Sequence, residues 1–139
     1  MLVERFWQTS ESSKESLKVK RKLGKILTQL SEITLFTEEM QALILPNLSL
    51  ETFGSFKDEE LHETLITLIG NIFIPRPQNS KASNQLIMSS LLSISEAISA
   101  FIVHPDTRIS QRSTTAFETL IKQVVAMEPT VITHLGDKL

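Results

Sequence analysis

Cysteine is absent from this 139-residue chain, and its absence excludes several kinds of site. The chain can hold no disulfide framework, no zinc or iron–sulfur site with thiolate ligands, and no thiol nucleophile. The stretch 1–7 has no apolar region of the length that a secretory signal needs. We therefore expect an intracellular protein, cytoplasmic or nuclear.

Glycine is also scarce, with isolated residues at positions 24, 54, 70 and 136. No glycine-rich loop is present that could cradle a phosphate, which argues against nucleotide hydrolysis. No Asn-Gly or Asp-Gly pair joins two alternating segments, so the pattern also disfavours a β-sheet.

Groups that could carry chemistry are few and scattered. His62, His104 and His134 have no spacing that would place two metal ligands on one helical face, and we expect neither a metal nor a cofactor. Glu60 and Glu63 point away from the neighbouring apolar stripe, which favours a solvated helix start over a catalytic pair. No Gly-x-Ser-x-Gly motif occurs. The sequence therefore predicts a protein that is not an enzyme.

A long run with little charge lies between positions 82 and 103, where Glu96 is the only charged residue. Its length approaches that of a membrane-spanning helix. Six serines dilute its hydrophobicity, and Glu96 would lie well inside the bilayer. We expect a central buried helix rather than a membrane segment.

The residues that are present favour a single all-α domain covering residues 1–139. Hydrophobic residues make up 41% of the chain and charged residues 22%, as in globular proteins. Apolar residues recur at helical spacing throughout, which predicts a multi-helix bundle of antiparallel helix pairs. The expected helices cover about 12–35, 37–44, 56–74 with Ser55 as its cap, 82–103, 107–127 and a short last element at 129–135, with an exposed loop near 75–81.

The first long helix carries the best candidate interaction surface. Its expected buried side contains Val19, Leu23, Ile26, Leu27, Leu30 and Ile33, and its opposite side contains Lys18, Arg21, Lys22 and Lys25. Such a basic stripe can neutralise phosphates or meet an acidic partner. The alternative is a face that only keeps the protein soluble. Aromatic residues that could stack on bases are missing beside it.

Phe6 and Trp7 form an aromatic pair ahead of this helix. The pair either fixes the helix to the core or serves as a short docking motif, and core packing is the favoured interpretation.

The segment from Ser83 to Leu139 resembles HEAT or armadillo repeats. The residues that carry the resemblance are Pro105 and Asp106 in the turn, Arg112 early in the following helix, and Ala116 and Leu120 on its inner face. The resemblance implies stacked helix pairs with a protein-docking surface and no catalysis. It also implies that the chain could be a piece of a longer protein or could depend on a partner.

Together these features predict a helical protein–protein interaction module, a scaffold or adaptor within a larger complex. A protein partner or a homo-oligomer is expected. The alternative is a nucleic-acid-associated subunit that binds phosphates through the basic helix.

Overall fold

The computed structural model describes residues 2–127 and confirms the all-α fold. Within that range the chain forms eight α-helices and no strand. The helices are α1 (Leu2–Gln8), α2 (Lys14–Ser31), α3 (Thr37–Ile44), α4 (Leu50–Ser55), α5 (Glu59–Ile72), α6 (Lys81–Ser89), α7 (Leu91–Ser99) and α8 (Thr107–Met127). The predicted last element at 129–135 lies outside the described residues.

Short polar side chains fix where several helices begin. Ser13 accepts a hydrogen bond from the Ser16 amide, and the Ser16 hydroxyl completes a capping box ahead of α2. The side chains of Ser49, Asp58 and Ser80 each accept a hydrogen bond from one amide in the first turn of α4, α5 and α6. Each cap satisfies an amide that has no partner inside its helix. The expectation that Ser55 caps α5 was wrong, because Ser55 is the last residue of α4.

Helices α2, α5 and α8 lie side by side and run in the same direction, with α5 in the middle. At one end of this layer, the Glu11 carboxylate just ahead of α2 accepts hydrogen bonds from the Lys57 and Asp58 amides. At the same end, His62 near the start of α5 contacts His104 ahead of α8. All three helices therefore begin at this end of the layer, although α2 begins earlier than α5, because Gly24, the eleventh residue of α2, lies against Thr64, the sixth residue of α5.

The remaining helices form a second layer. Helix α1 runs antiparallel to α2, because Phe6 lies against Gly24 whereas Val3 lies near Leu27 and Leu30. Helix α7 runs antiparallel to α8, because the hydroxyls of Ser110 and Ser113 donate to the carbonyls of Ile102 and Ile98. The hydrophobic core between the layers includes Phe6, Leu27, Phe53, Leu61, Leu65, Ile69, Ile72, Phe73, Ile87, Ile94, Ile98, Ile109 and Leu120.

A buried amide joins three helices inside this core. The Gln41 side chain of α3 is fully buried, and its Nε2 donates to the Ile72 carbonyl at the end of α5. Its Oε1 accepts a hydrogen bond from the buried Ser83 hydroxyl of α6 at 3.0 Å. Both ends of the amide are satisfied, so the core holds it without an unpaired polar group.

The expected single helix at 82–103 was wrong, since two helices, α6 and α7, occupy the segment. Ser90 has φ −113° and ψ 15°, which departs from helical geometry and separates the two. The Ser89 hydroxyl donates to the Leu86 carbonyl just before the break. Serine hydroxyls compete with backbone groups for hydrogen bonds and can interrupt a helix. The spacing of apolar residues does not predict such an interruption.

The predicted exposed loop at 75–81 is partly anchored to the fold. Pro75 is buried, and the Arg76 guanidinium donates to the carbonyls of Gly70 and Asn71 at the end of α5. Pro77 and Gln78 are exposed. Of the helices within residues 2–127, none combines the length and the apolar character required to cross a membrane.

Candidate interaction surface

The face of α2 that turns toward the core differs from the face that hydrophobicity predicts. The buried residues are Lys20, Gly24, Leu27 and Ser31, whereas the predicted core residues Val19, Ile26 and Ile33 are 51%, 41% and 45% exposed. At 100° per residue, Val19 and Ile26 lie about 120° from the centre of the buried face. The expectation that these three apolar residues are buried was therefore wrong.

Small residues explain why α2 turns this face toward α5. A methyl group built on Gly24 would lie 2.9 Å from Thr64 Cγ2 and 3.1 Å from Phe6 Cε1, so the helices approach closely there. At the end of α2, the Ser31 hydroxyl accepts a hydrogen bond from Asn71 Nδ2 at 2.8 Å. Close approach of two helices needs small side chains at the contact, and the apolar stripe cannot supply them.

Lys20 lies on the same buried face and is 4% exposed. Its Nζ lies 4.1 Å from the centre of the Phe56 ring, over which a cation is attracted by the aromatic face. Burial lowers the pKa of Lys20 below its ordinary value, and the nearby Glu11 carboxylate opposes that change. This lysine therefore belongs to the core of the fold rather than to its basic surface.

The apolar residues left outside form a regular stripe, which we call the α2 stripe. It consists of Val19, Leu23, Ile26, Leu30 and Ile33, spaced alternately by four and three residues. The four positions inside α2 fall within about 60° of arc, and Ile33 follows two residues after the end of the helix. Such spacing is typical of the contact seam of packed or coiled helices. Leu23 and Leu30 are half-buried against the core, and the other three are exposed. Within residues 2–127, no helix covers the outer side of the α2 stripe.

A shallow groove continues the α2 stripe toward α3. It has a volume of about 240 Å³ and is lined mainly by apolar side chains. Those side chains belong to Val3, Leu27, Leu30, Phe36, Met40 and Leu43, and Glu39 stands at its border. Leu35, beside it, is 81% exposed. The exposed apolar surface therefore extends from α2 to the α2–α3 connection.

The predicted basic stripe is divided by ion pairs that the sequence did not show. The Arg21 guanidinium donates to both carboxylate oxygens of Asp58, at 3.0 and 2.5 Å, and lies 2.9 Å from Glu60. Lys25 Nζ lies 3.7 Å from Glu60. The hydrogen bond from Arg21 lowers the pKa of Asp58, and the Leu61 amide acts in the same direction. Arg21 and Lys25 thus join α2 to α5 through Glu60, whose side chain remains 41% exposed at the start of α5.

Lys18 and Lys22 remain as the open part of the basic stripe. Both are exposed, and neither has an ion-pair partner among residues 2–127. On the helical wheel they border the α2 stripe on its solvent side. The candidate surface therefore combines an apolar seam with two flanking cations.

The side chains of Phe6 and Trp7 pack against the core rather than forming an exposed docking motif. Phe6 is fully buried and contacts the rings of Trp7 and Phe56 at 5.3 and 5.8 Å between centroids. Trp7 is half-buried, and its indole Nε1 is enclosed without a hydrogen-bond partner in the described range. The pair packs α1 onto the core, and Phe6 is thereby removed from the candidate interaction surface.

Two histidines that are far apart in sequence meet in the structure. His104 Nδ1 accepts the Asp106 amide at 2.9 Å, so its Nε2 carries the proton and donates to His62 Nδ1 at 2.9 Å. His62 Nε2 then donates to the Phe56 carbonyl at 2.5 Å. Both rings are committed to hydrogen bonds that tie the start of α5 to the α7–α8 turn. Sequence spacing within one helix could not reveal this pair.

A second ion-pair group joins α5 to α8. Arg112 Nη1 lies 2.9 Å from Glu63, and Arg108 Nη2 lies 3.8 Å from the same carboxylate. Glu63 therefore pairs with arginines rather than facing open solvent. Over residues 2–127, no group of three His, Asp or Glu side chains is placed to hold a metal ion.

A comparison of the chain with known protein families, curated proteins and solved structures finds no significant match.

Proposed function

We propose that this chain is a non-catalytic helical protein–protein interaction module, a scaffold or adaptor within a larger complex. The observation that carries the proposal is the α2 stripe, whose three most exposed members are aliphatic and regularly spaced. Soluble proteins seldom leave a contiguous apolar seam open without a partner that covers it. A partner helix with apolar residues at matching spacing would bury this seam.

The helix order supports an arrangement of stacked repeats like that of HEAT or armadillo proteins. Three successive units, α1–α2, α3–α5 and α6–α8, each end in a helix of the parallel layer. Each unit buries its apolar face against its neighbour, and a stack of this kind has two open edges. The first edge is the α2 stripe.

The test compares two substitutions that add the same charge to exposed aliphatic residues. Ile26→Asp places a carboxylate in the middle of the α2 stripe, and Leu92→Asp places one at a 75% exposed residue of α7. Each variant is immobilised on a support and incubated with extract of the source cells. We expect Leu92→Asp to capture the same proteins as the unchanged chain, and we expect Ile26→Asp not to capture them. Equal binding by both variants would contradict a role for the α2 stripe.

Phosphate binding is a second candidate, and the observation that favours it is the exposure of Lys18 and Lys22. Arg21 and Lys25 already face carboxylates, which reduces the charge available to a nucleic acid. The double substitution Lys18→Glu, Lys22→Glu is the test. Retention of DNA or RNA at low salt that is unchanged by this substitution would exclude the role.

A further inference from the structure

The parallel layer has a second apolar edge, on α8. Phe117, Ile121 and Val125 are spaced by four residues, and we call them the α8 stripe. Phe117 is half-buried, whereas Ile121 and Val125 are 47% and 46% exposed. On the helical wheel they lie opposite Arg108 and Arg112, which face α5. Both outer edges of the layer therefore expose aliphatic residues.

We propose that the chain associates with further copies of itself, with the α8 stripe of one copy packed against the α2 stripe of the next. This inference rests on the proposed interaction function and names its partner. The contact would continue the layer, because α8 would meet the neighbouring α2 in the parallel sense that already relates α2 to α5.

The two stripes match in a register that places Thr107, the first residue of α8, level with Lys14, the first residue of α2. In that register the first, second and third members of the α8 stripe each fall between two successive members of the α2 stripe. Phe117 lies between Leu23 and Ile26, and Ile121 lies between Ile26 and Leu30. Val125 follows one turn later. Side chains of one helix then fill the grooves of the other.

Charges on the solvent side of the two edges are complementary. Glu118 borders the α8 stripe, and Lys18 and Lys22 border the α2 stripe, all three exposed. With level starts, Glu118 lies within one turn of Lys22, and Lys122 lies beside the uncharged Gln29. The contacts between helices inside the chain also contain ion pairs. Arg21 of α2 pairs with Asp58 at the start of α5, and Arg112 of α8 pairs with Glu63 of α5.

The geometry predicts open chains of copies rather than a closed dimer. The contact joins two different surfaces, the α2 stripe of one copy and the α8 stripe of another. A row of copies therefore always has a free α2 stripe at one end and a free α8 stripe at the other, and further copies can bind there. Light scattering on the purified protein should therefore show a mean mass that rises steadily with concentration. A mass that stays at one chain throughout, or that stops at two, would overturn the proposal.

Two edge variants test which surfaces meet. Ile26→Asp and Ile121→Asp should each lower the association constant by roughly tenfold or more, because each places a charge in an apolar contact. Mixed together they should form one-to-one pairs, because the first retains its α8 stripe and the second its α2 stripe. Leu92→Asp is the matched control and should associate like the unchanged chain. Circular dichroism and thermal unfolding establish that each variant is folded.

The outcomes separate this inference from the proposed function. If Ile26→Asp abolishes association, Ile121→Asp leaves it intact and the mixture forms no pairs, the α2 stripe binds its own counterpart and the α8 contact is refuted. If copies do not associate but Ile26→Asp still loses a partner from cell extract, this inference fails and the interaction function stands. If neither binding is found, both fail.

Discussion

Replacing Gly24 with alanine tests the close contact between α2 and α5. In an open helix interior, alanine is more favourable than glycine by about 1 kcal/mol. At Gly24 the new methyl group would lie 2.9 Å from Thr64 Cγ2 and 3.1 Å from the buried Phe6 ring. Thr64 is β-branched and donates its hydroxyl to the Glu60 carbonyl, so its methyl group cannot rotate away freely.

The expected magnitude follows from two opposing terms. An extra methyl group in a well-packed contact costs roughly 1–3 kcal/mol, which equals or exceeds the gain in helix propensity. Gly70 in α5 is the matched control, because a methyl group there would meet nothing within 4 Å. Gly70→Ala should therefore stabilise the protein by up to about 1 kcal/mol. We expect Gly24→Ala to be less stable than Gly70→Ala by about 1–3 kcal/mol.

Urea unfolding followed by circular dichroism measures both free energies of unfolding. A Thr64→Ala substitution in the Gly24→Ala background removes the clashing methyl group and should recover part of the loss beyond the sum of the single changes. The close approach of α2 and α5 would be refuted if Gly24→Ala stabilised the protein as much as Gly70→Ala does.

Three further predictions concern polar groups that the fold encloses. The fold lowers the pKa of Asp58, so the ionised Asp58 carboxylate stabilises the folded protein fully at pH values above the ordinary pKa of aspartate. This stabilisation is lost as the pH falls through the pKa that Asp58 has in the folded protein. Asp58→Asn should therefore weaken the acid dependence of the free energy of unfolding, measured by circular dichroism. The pKa of Lys20 is also lowered, so stability should rise as pH increases from its folded pKa toward its ordinary pKa; Lys20→Met should be more stable at neutral pH in urea and should lack the alkaline rise. Gln41→Leu leaves the Ile72 carbonyl and the Ser83 hydroxyl without their partner, and should lower the urea midpoint by an amount equivalent to about 1–3 kcal/mol; an unchanged midpoint would contradict the buried network.

Local sequence signals predicted the helical content and several helix boundaries. Ser13 caps α2, and α3 ends ahead of Pro46, because capping and proline geometry depend on residues only a few positions apart. The break at Ser90 and the additional helix α1 were missed. Both depend on competition between nearly equal local conformations, which tertiary packing decides.

The candidate surface was only partly predictable. The sequence pointed to α2 and to Lys18 and Lys22, and both lysines are exposed in the structure. It placed Arg21 on an open basic face, whereas Asp58, 37 positions away, holds its guanidinium. It also assigned Val19, Ile26 and Ile33 to the core, because periodicity shows that a helix has an apolar face without showing what that face contacts.

The sequence by itself determined an all-α chain, since apolar residues at helical spacing and short polar caps specify helices through contacts within a few turns. Only the tertiary structure decided which face of α2 turns inward. Gly24 lets α5 approach more closely than any aliphatic residue of the α2 stripe would permit, and that closeness exists only when both helices are in place. For the same reason, the apolar edges on α2 and α8 are properties of the assembled layer.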